Sequence, residues 1–318
     1  MLKVKKLITQ FKVGKNVLSA VDGIDFDVDN QKMVGIVGES GSGKSVTALS
    51  IMQLLPNNGS IVSGDILWND LSLPCASPKE MRAIRGSEIG LIFQNPLAAL
   101  NPVFTIGNQM TETIRLHDRV DQKQAEVTAI ELLRKVSIPD AETRLNDYPH
   151  QFSIGMCQRL MIAMTIAMKP KLLIADEPTA SLDVTIQAQI LALIDSLRVE
   201  LNMAVLMISH DLGVIAQYCD EILVMYLGKI VEKGTPLQIF KSPQHPYTQA
   251  LISAIPNPDP SQKHRPELLT GDIPSPLHLP KGCRFHTRCP KVMPQCLDSE
   301  PPLLDANGAQ SACWLVDQ

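Results

Sequence analysis

The chain contains the run Met33-Val34-Gly35-Ile36-Val37, which is followed directly by Gly38-Glu39-Ser40-Gly41-Ser42-Gly43-Lys44-Ser45. The first five residues form an apolar run that predicts a buried strand. Residues 38–45 fit the pattern G-x-x-x-x-G-K-[ST] and are called the phosphate loop below. Apolar residues recur on one helical face after Lys44, so the loop joins a strand to a helix. The stretch therefore predicts a nucleotide-binding site in an α/β fold.

The phosphate loop offers both backbone and side-chain contacts to a nucleotide. Its glycines let backbone N–H groups turn toward phosphate oxygens, and the following helix adds the positive end of its dipole. Lys44 is expected to reach the β- and γ-phosphates, and the hydroxyl of Ser45 to ligate Mg²⁺. The residues predicted to bind the nucleotide here are Gly38, Glu39, Ser40, Gly41, Ser42, Gly43, Lys44, Ser45 and Val46.

Two carboxylates follow a second predicted strand. The apolar residues 171–175 end in Asp176 and Glu177. A carboxylate at a strand end near a phosphate loop is placed to hold the Mg²⁺ shell, so Asp176 is predicted as a metal-binding residue. Glu177 is predicted to polarise the attacking water as a general base. A third strand over residues 204–208 completes a pattern of short strands alternating with helices, which predicts a mainly parallel α/β core.

The composition excludes several classes of protein. The 318 residues include 33 acidic and 29 basic side chains, a formal charge of −4, which argues against a protein that binds nucleic acid regardless of sequence. No stretch approaches the ~18 unbroken apolar residues of a membrane span. Residues 1–7 do not form the apolar core of a signal peptide. We therefore expect a soluble, cytoplasmic protein.

These motifs, with several others in the same order, resemble the ATP-binding subunit of ABC transporters over nearly the whole chain. Gln94 resembles the glutamine of the family's Q-loop, His210 its switch histidine, and residues 180–183 its D-loop. The resemblance implies that Gln94 senses the γ-phosphate or Mg²⁺ and that His210 orients the attacking water. It also implies that Phe11 stacks on adenine. The catalytic residues would then be Lys44, Gln94, Glu177 and His210, and the Mg²⁺ site would comprise Ser45, Gln94 and Asp176.

Residues 152–156 stand where the family has its signature sequence. The resemblance implies that Ser153 and Gly155 bind the ATP held by an opposing cassette, so that hydrolysis requires a homo- or heterodimer. The chain departs from the usual Ser-Gly-Gly by having Ile154 in the middle. A β-branched residue suits a tight or positive-φ backbone poorly. One hypothesis is that the ATP site completed by this signature is slow; the alternative is that Ile154 points away and costs little.

Motifs in the C-terminal third indicate which branch of the family the chain resembles. Residues 244–251 and 282–290 resemble segments typical of the oligopeptide, dipeptide and nickel importer ATPases, and the nearest likeness is the D-type subunit of peptide permeases. The implied partners are a second ATPase, two membrane permeases and an extracytoplasmic substrate-binding protein, with no nucleic acid. The implied location is the cytoplasmic face of the inner membrane. A nickel-chelate or glutathione importer remains an alternative, as does a non-transport ABC ATPase acting on ribosomes or DNA.

The expected fold is therefore an α/β, ABC-type P-loop core with an N-terminal antiparallel β portion. Residues 96–169 are predicted to form an inserted helical subdomain. The chain turns proline-rich near Pro256, so we predict an ATPase domain over 1–256 and a C-terminal linker and cysteine region over 257–318.

Four cysteines crowd into the last part of the chain: Cys283, Cys289, Cys296 and Cys313. Clustered cysteines in a reducing compartment are more typical of metal ligation than of disulfides. Their spacings are wider than the C-x2-C of ordinary zinc ribbons, and the family resemblance implies a [4Fe–4S] cluster. Zinc and unligated thiols are the alternatives.

Overall fold

The computed structural model describes residues 1–117, 120–255, 271–306 and 308–317. The start of the predicted proline-rich linker, with the boundary at 256/257, lies outside these residues. The chain forms two compact units. The first unit comprises Met1–Asp29, Met33–Cys75 and Met207–Gln318, and the second comprises Asn30–Lys32 and Ala76–Leu206.

Strands occur in both units. In chain order they are β1 (Leu2–Val13), β2 (Asn16–Val28), β3 (Met33–Val37), β4 (Gly59–Trp68), β5 (Leu71–Ser72), β6 (Ile89–Ile92), β7 (Leu172–Asp176), β8 (Ala204–Ser209), β9 (Glu221–Tyr226), β10 (Lys229–Gly234), β11 (Leu304–Ala306) and β12 (Ala309–Ser311).

Helices occur in both units. They are α1 (Lys44–Ile51), α2 (Pro78–Ile84), α3 (Pro96–Ala99), α4 (Ile106–His117), α5 (Gln122–Lys135), α6 (Ala141–Arg144), α7 (Ile154–Ile166), α8 (Val184–Leu201), α9 (Leu212–Tyr218), α10 (Pro236–Lys241), α11 (Pro246–Ser253) and α12 (Pro294–Asp298). Short 3₁₀ turns lie at Leu73–Cys75, Pro149–Gln151 and Trp314–Asp317. No helix in the described part of the chain is long and apolar enough to cross a membrane.

The first unit contains the predicted antiparallel sheet. Its strand order is β2-β1-β4-β5, and β1 pairs with β2 from Leu2↔Val28 to Val13↔Asn16. At the start of β1 the side chains alternate between buried and exposed, because successive residues of a strand point to opposite faces. The N-terminal β portion is thus confirmed.

The first unit also contains the strand that precedes the phosphate loop. All five residues of β3 are buried, and β3 pairs in parallel with β9 from Val34↔Glu221 to Val37↔Val224. A Cβ at Gly35 would lie 2.4 Å from Cγ2 of Ile215, so the glycine permits α9 to pack closely on β3. The predicted strand is confirmed residue for residue, and α1 begins at Lys44 as expected.

The second unit pairs β6 with β7 in parallel, from Ile89↔Leu172 to Ile92↔Ala175. Strand β7 ends at Asp176, one residue beyond the predicted end, so Asp176 belongs to the strand. The predicted parallel core is confirmed by these pairings. Between Pro96 and Ile166 the described secondary structure is helical, consisting of α3 to α7 and one 3₁₀ turn. The buried side chains of α5 recur at Ala125, Ala129 and Leu133, one face of a helix.

Candidate functional site

The phosphate loop adopts a backbone that requires glycine at specific positions. Gly41 and Gly43 have φ angles of +79° and +106°, in the region that side chains disfavour. Gly38 is required for a different reason: a Cβ there would lie 2.1 Å from the carbonyl oxygen of Met225. The loop therefore turns where β3 ends, in a conformation that larger residues would obstruct.

Lys44 folds back over the phosphate loop. Its Nζ donates to the carbonyl oxygens of Gly38 at 2.8 Å and Glu39 at 2.9 Å, and the residue is only 4% exposed. Gly43 precedes α1 and has no side chain with which to cap the first N–H groups of the helix. Ser45 and Val46 lie in the first turn of α1. A lysine ammonium and a helix N-terminus in one loop form a site suited to phosphate.

The second unit brings Gln94 and Glu177 into contact. Gln94 follows β6 and Glu177 follows β7, and these strands are paired in parallel. Nε2 of Gln94 donates to Oε2 of Glu177 at 2.8 Å. Glu177 has a φ of +45°, a left-handed conformation that costs a non-glycine residue about 1–2 kcal/mol. A strained residue beside a strand end is typical of a functional site.

The signature residues lie at the start of α7. Oγ of Ser153 accepts a hydrogen bond from the backbone N–H of Met156 at 3.3 Å, so Ser153 caps the helix. Ile154 is the first helical residue, so the backbone at this position does not require glycine. Its side chain is 45% exposed, so it adds apolar bulk at the helix N-terminus. A Cβ at Gly155 would lie 3.0 Å from Cγ2 of Ile186, which leaves little room for a side chain.

Two further predicted residues lie in the first unit. Phe11 pairs with Gly59 of β4, and its ring occupies the space that a Cβ of Gly59 would need, 2.6 Å from Cε1. The ring is half-buried, so packing accounts for part of its role. His210 is exposed in the link between β8 and α9, where Asp211 caps the helix. The predicted site residues are thus divided between the two units, with Asp176, Glu177, Gln94, Ser153 and Gly155 in the second.

Two residues that contact the phosphate loop have no role predicted from the sequence. Arg288 forms a paired hydrogen bond with Glu39, Nη1 to Oε2 at 2.7 Å and Nη2 to Oε1 at 3.1 Å. These hydrogen bonds hold the pKa of Arg288 above its usual value. The hydroxyl of Tyr247 accepts a hydrogen bond from the backbone N–H of Glu39 at 2.9 Å. Both residues lie in the segments 244–251 and 282–290, which the sequence marks as distinctive without indicating what they touch.

The four C-terminal cysteines line one small pocket with His245 and Trp314. Burial raises the pKa of Cys283 to about 11, and burial also raises the pKa of Cys289 and of Cys313. These thiols are therefore protonated at neutral pH in this arrangement. Among the residues described, no group of three or more His, Cys, Asp or Glu side chains is arranged to hold a metal ion. The structure brings the predicted ligands around one pocket but does not form a metal site from them.

Comparison with known proteins shows where this fold and site occur. Residues 21–180 match the ABC transporter family, and residues 231–296 match the C-terminal region of oligopeptide/dipeptide transporters. The chain is 46% identical to the dipeptide transport ATP-binding protein DppD of Escherichia coli K12, covering 98% of this chain and 96% of that protein. It is 44% identical to the oligopeptide transport ATP-binding protein AppD of Bacillus subtilis 168, covering 100% and 97%.

A solved structure supports the same conclusion. The ATP-binding cassette MJ0796, described as a dimer in a post-hydrolysis state with ADP and Pi, matches with a TM-score of 0.67 and 25% identity, covering 74% of this chain and 99% of that one. The phosphate loop and these matches define a nucleotide-binding cassette, and the chain belongs to the ABC transporter family. It is an ATP-binding and ATP-hydrolysing subunit whose C-terminal residues are those of the oligopeptide/dipeptide branch.

Proposed function

We propose that this chain is the ATPase subunit that energises the import of dipeptides or oligopeptides across a membrane. The observation that carries the proposal is the match of residues 231–296 to the C-terminal region of oligopeptide/dipeptide transporters. Relatives named for oligopeptide and dipeptide transport align over nearly their full length, which supports it. Importers of nickel chelates or glutathione, and ABC ATPases acting on ribosomes or DNA, are the rival functions.

The proposed chemistry follows from the residues of the two units. Lys44 exchanges its two carbonyl partners for β- and γ-phosphate oxygens, and the N–H groups at the start of α1 add further donors. Ser45 and Asp176 would hold Mg²⁺, which would neutralise phosphate charge. Glu177 polarises the attacking water, and Gln94 orients the Glu177 carboxylate through the hydrogen bond that the structure records. His210 orients the water from the γ-phosphate side.

We infer that the helical part of the second unit is the inserted subdomain that receives the permeases. Apolar side chains are exposed just after β6 and around α3: Phe93, Leu97, Val103 and Phe104. Exposed apolar residues that recur within one short segment suit a protein–protein contact. The stretch begins beside Gln94, so nucleotide-dependent movement of that residue would reach the docking surface directly. The proposed assembly has two permeases, a second ATPase and an extracytoplasmic binding protein, with this chain on the cytoplasmic face.

We also propose that the four C-terminal cysteines hold a [4Fe–4S] cluster, with zinc as the alternative. Four thiols around one pocket are the donor set that either group takes. The cluster or zinc ion would have a structural role, because it would join the segments that contain Cys283, Cys296 and Cys313. Anaerobic purification tests this: a brown protein that absorbs near 400 nm and contains iron and sulfide supports the cluster, whereas a colourless protein with zinc or no metal contradicts it.

Uptake in the native organism tests the proposed function. Cells that express Glu177→Gln in place of the wild-type chain should lose uptake of labelled di- and oligopeptides, and retain uptake of a sugar. Nickel-chelate and glutathione uptake are measured in the same cells. Loss of either of these instead of peptide uptake would reassign the cargo. Copurification with ribosomes or nucleic acid, without permeases, would overturn the transport function.

A further inference from the structure

Glu39 is the second residue of the phosphate loop, and each of its polar groups has a partner within the first unit. Its carboxylate accepts both hydrogen bonds from Arg288, and its N–H donates to Tyr247. Its carbonyl oxygen accepts a hydrogen bond from Nζ of Lys44. The loop residue that follows Gly38 is therefore fixed from three directions, two of which come from the C-terminal part of the chain.

The partners of Glu39 are themselves rigidly placed. The side chain of Arg288 is 6% exposed, against 27% for Glu39, and its guanidinium lies 5.9 Å from the centroid of the Tyr226 ring. The rings of Tyr226, Tyr247 and Phe285 pack together, with centroids 4.7 to 5.5 Å apart. Tyr247 lies in the first turn of α11, whose entry is held by the buried carboxylate of Glu232. A planar guanidinium held in this way presents both donors at a fixed angle.

We propose that Arg288 and Tyr247 are positioning residues for ATP binding, which hold the phosphate loop in its receptive conformation before the nucleotide arrives. The inference deepens the proposed function and rests on the assignment of residues 38–45 as the phosphate site. Neither residue is required to touch the nucleotide. A phosphate loop that is ordered in advance binds ATP more tightly. The apparent dissociation constant for ATP rises as the fraction of molecules with an ordered loop falls.

Nucleotide affinity of the full-length chain measures this effect. Arg288→Gln removes the charge and the paired geometry, and Tyr247→Phe leaves the Glu39 N–H without its acceptor. Each should raise the Kd for ATP by roughly fivefold to thirtyfold, the effect of losing one contact of about 1–2 kcal/mol. In the assembled transporter the KM for ATP should rise while kcat stays near wild type. Once ATP is bound, its phosphates stabilise the ordered conformation of the loop in the variants as well.

A matched control lies in the same segment. Arg284 donates to the carbonyl oxygen of Leu227 and to the carboxylate of Asp22, rather than to Glu39. Arg284→Gln therefore disturbs how residues 282–290 are anchored without removing a Glu39 contact. It should change Kd by less than Arg288→Gln does. In hydrogen exchange without nucleotide, Arg288→Gln should speed exchange at residues 39–43, whereas Arg284→Gln should not.

A double-mutant cycle tests whether Glu39 and Arg288 act together, and the Lys44→Ala variant tests the phosphate site itself. Glu39→Gln combined with Arg288→Gln should cost less than the sum of the two single changes, and Arg288→Lys should fall between wild type and Arg288→Gln. Equal effects of Arg284→Gln and Arg288→Gln on Kd and exchange, or an unchanged Kd in Arg288→Gln, would overturn the positioning role. Lys44→Ala separates the two ideas: if it still binds ATP at wild-type affinity, the phosphate site itself is misassigned.

Discussion

Gln94 and Glu177 are 83 residues apart in sequence, and Nε2 of the first donates to Oε2 of the second at 2.8 Å. This hydrogen bond from the Gln94 amide fixes the orientation of the Glu177 carboxylate. A general base needs such a fixed orientation, because it must lie within hydrogen-bond distance of the water that it deprotonates, whatever its pKa. Glu177 also has a φ of +45°, a left-handed conformation of the kind that concentrates at functional sites.

Glu177→Gln should lower kcat for ATP hydrolysis by ~10²–10⁴-fold and leave ATP binding intact, because the change removes a base and keeps the shape. Gln94→Glu should also lower hydrolysis, since two carboxylates at that distance cannot both ionise. Gln189→Ala, at an exposed position of α8, is the control. Steady-state ATPase assays and ATP titrations measure both. A Glu177→Gln protein with wild-type turnover would refute the assigned base.

Ile154→Gly should raise the ATPase activity of the assembled transporter if the bulk at the N-terminus of α7 slows the site that this signature completes. The side chain is 45% exposed, so the change should cost little packing and at most about 1 kcal/mol of helix propensity. Ile154→Ala removes bulk without adding backbone freedom and separates the two effects. Unchanged turnover in both variants would show that Ile154 is neutral.

Gly38→Ala should abolish ATP binding and lower the free energy of unfolding by about 1–3 kcal/mol, because the added methyl meets the Met225 carbonyl. Gly41→Ala tests the opposite case. Space around Gly41 is open, and only its φ of +79° opposes a side chain, at about 1–2 kcal/mol. Urea unfolding and ATP titration compare the two. A milder effect of Gly38→Ala on binding would mean that the loop can move away from β9.

Glu221→Gln should make the protein more stable at pH 7. Burial raises the pKa of Glu221 above 4.5, so the folded state favours the protonated acid and stability falls as pH rises through the folded pKa. Glu80 is the counterpart: hydrogen bonds from Ser77 lower its pKa, so it stabilises above its unfolded pKa and loses that contribution as pH falls. Glu80→Gln should therefore be less stable than wild type at pH 7. Urea midpoints at pH 7 and pH 4 should show both differences shrinking in acid; a sign shared by the two variants would be inconsistent with this assignment.

Local pattern was sufficient where one segment fixes its own structure. The apolar run of β3 and the glycines of the phosphate loop each predict an element that the structure contains. A strand end marked by Asp176 and Glu177 also follows from the sequence. Ile154 begins a helix rather than a glycine-like turn, so only the bulk of its side chain bears on the hypothesis of a slow site.

Local sequence pattern could not predict contacts between segments that are distant in the chain. Nothing local to Arg288 indicates a carboxylate partner 249 residues earlier, and the motif around it suggests only cysteine ligation. The arrangement of the thiols is likewise a property of packing, and burial raises the pKa of Cys283, Cys289 and Cys313. Pattern identifies what a residue can do, and tertiary structure decides what it meets.

The 249-residue separation of Glu39 and Arg288 has a consequence during synthesis. At ~5–20 residues per second, the ribosome makes Arg288 roughly 12–50 s after Glu39. If Arg288 orders the loop as proposed, the nascent cassette has the motif long before it has full affinity for ATP. Tight nucleotide binding then comes last, and a chain interrupted early would not compete with finished subunits for ATP.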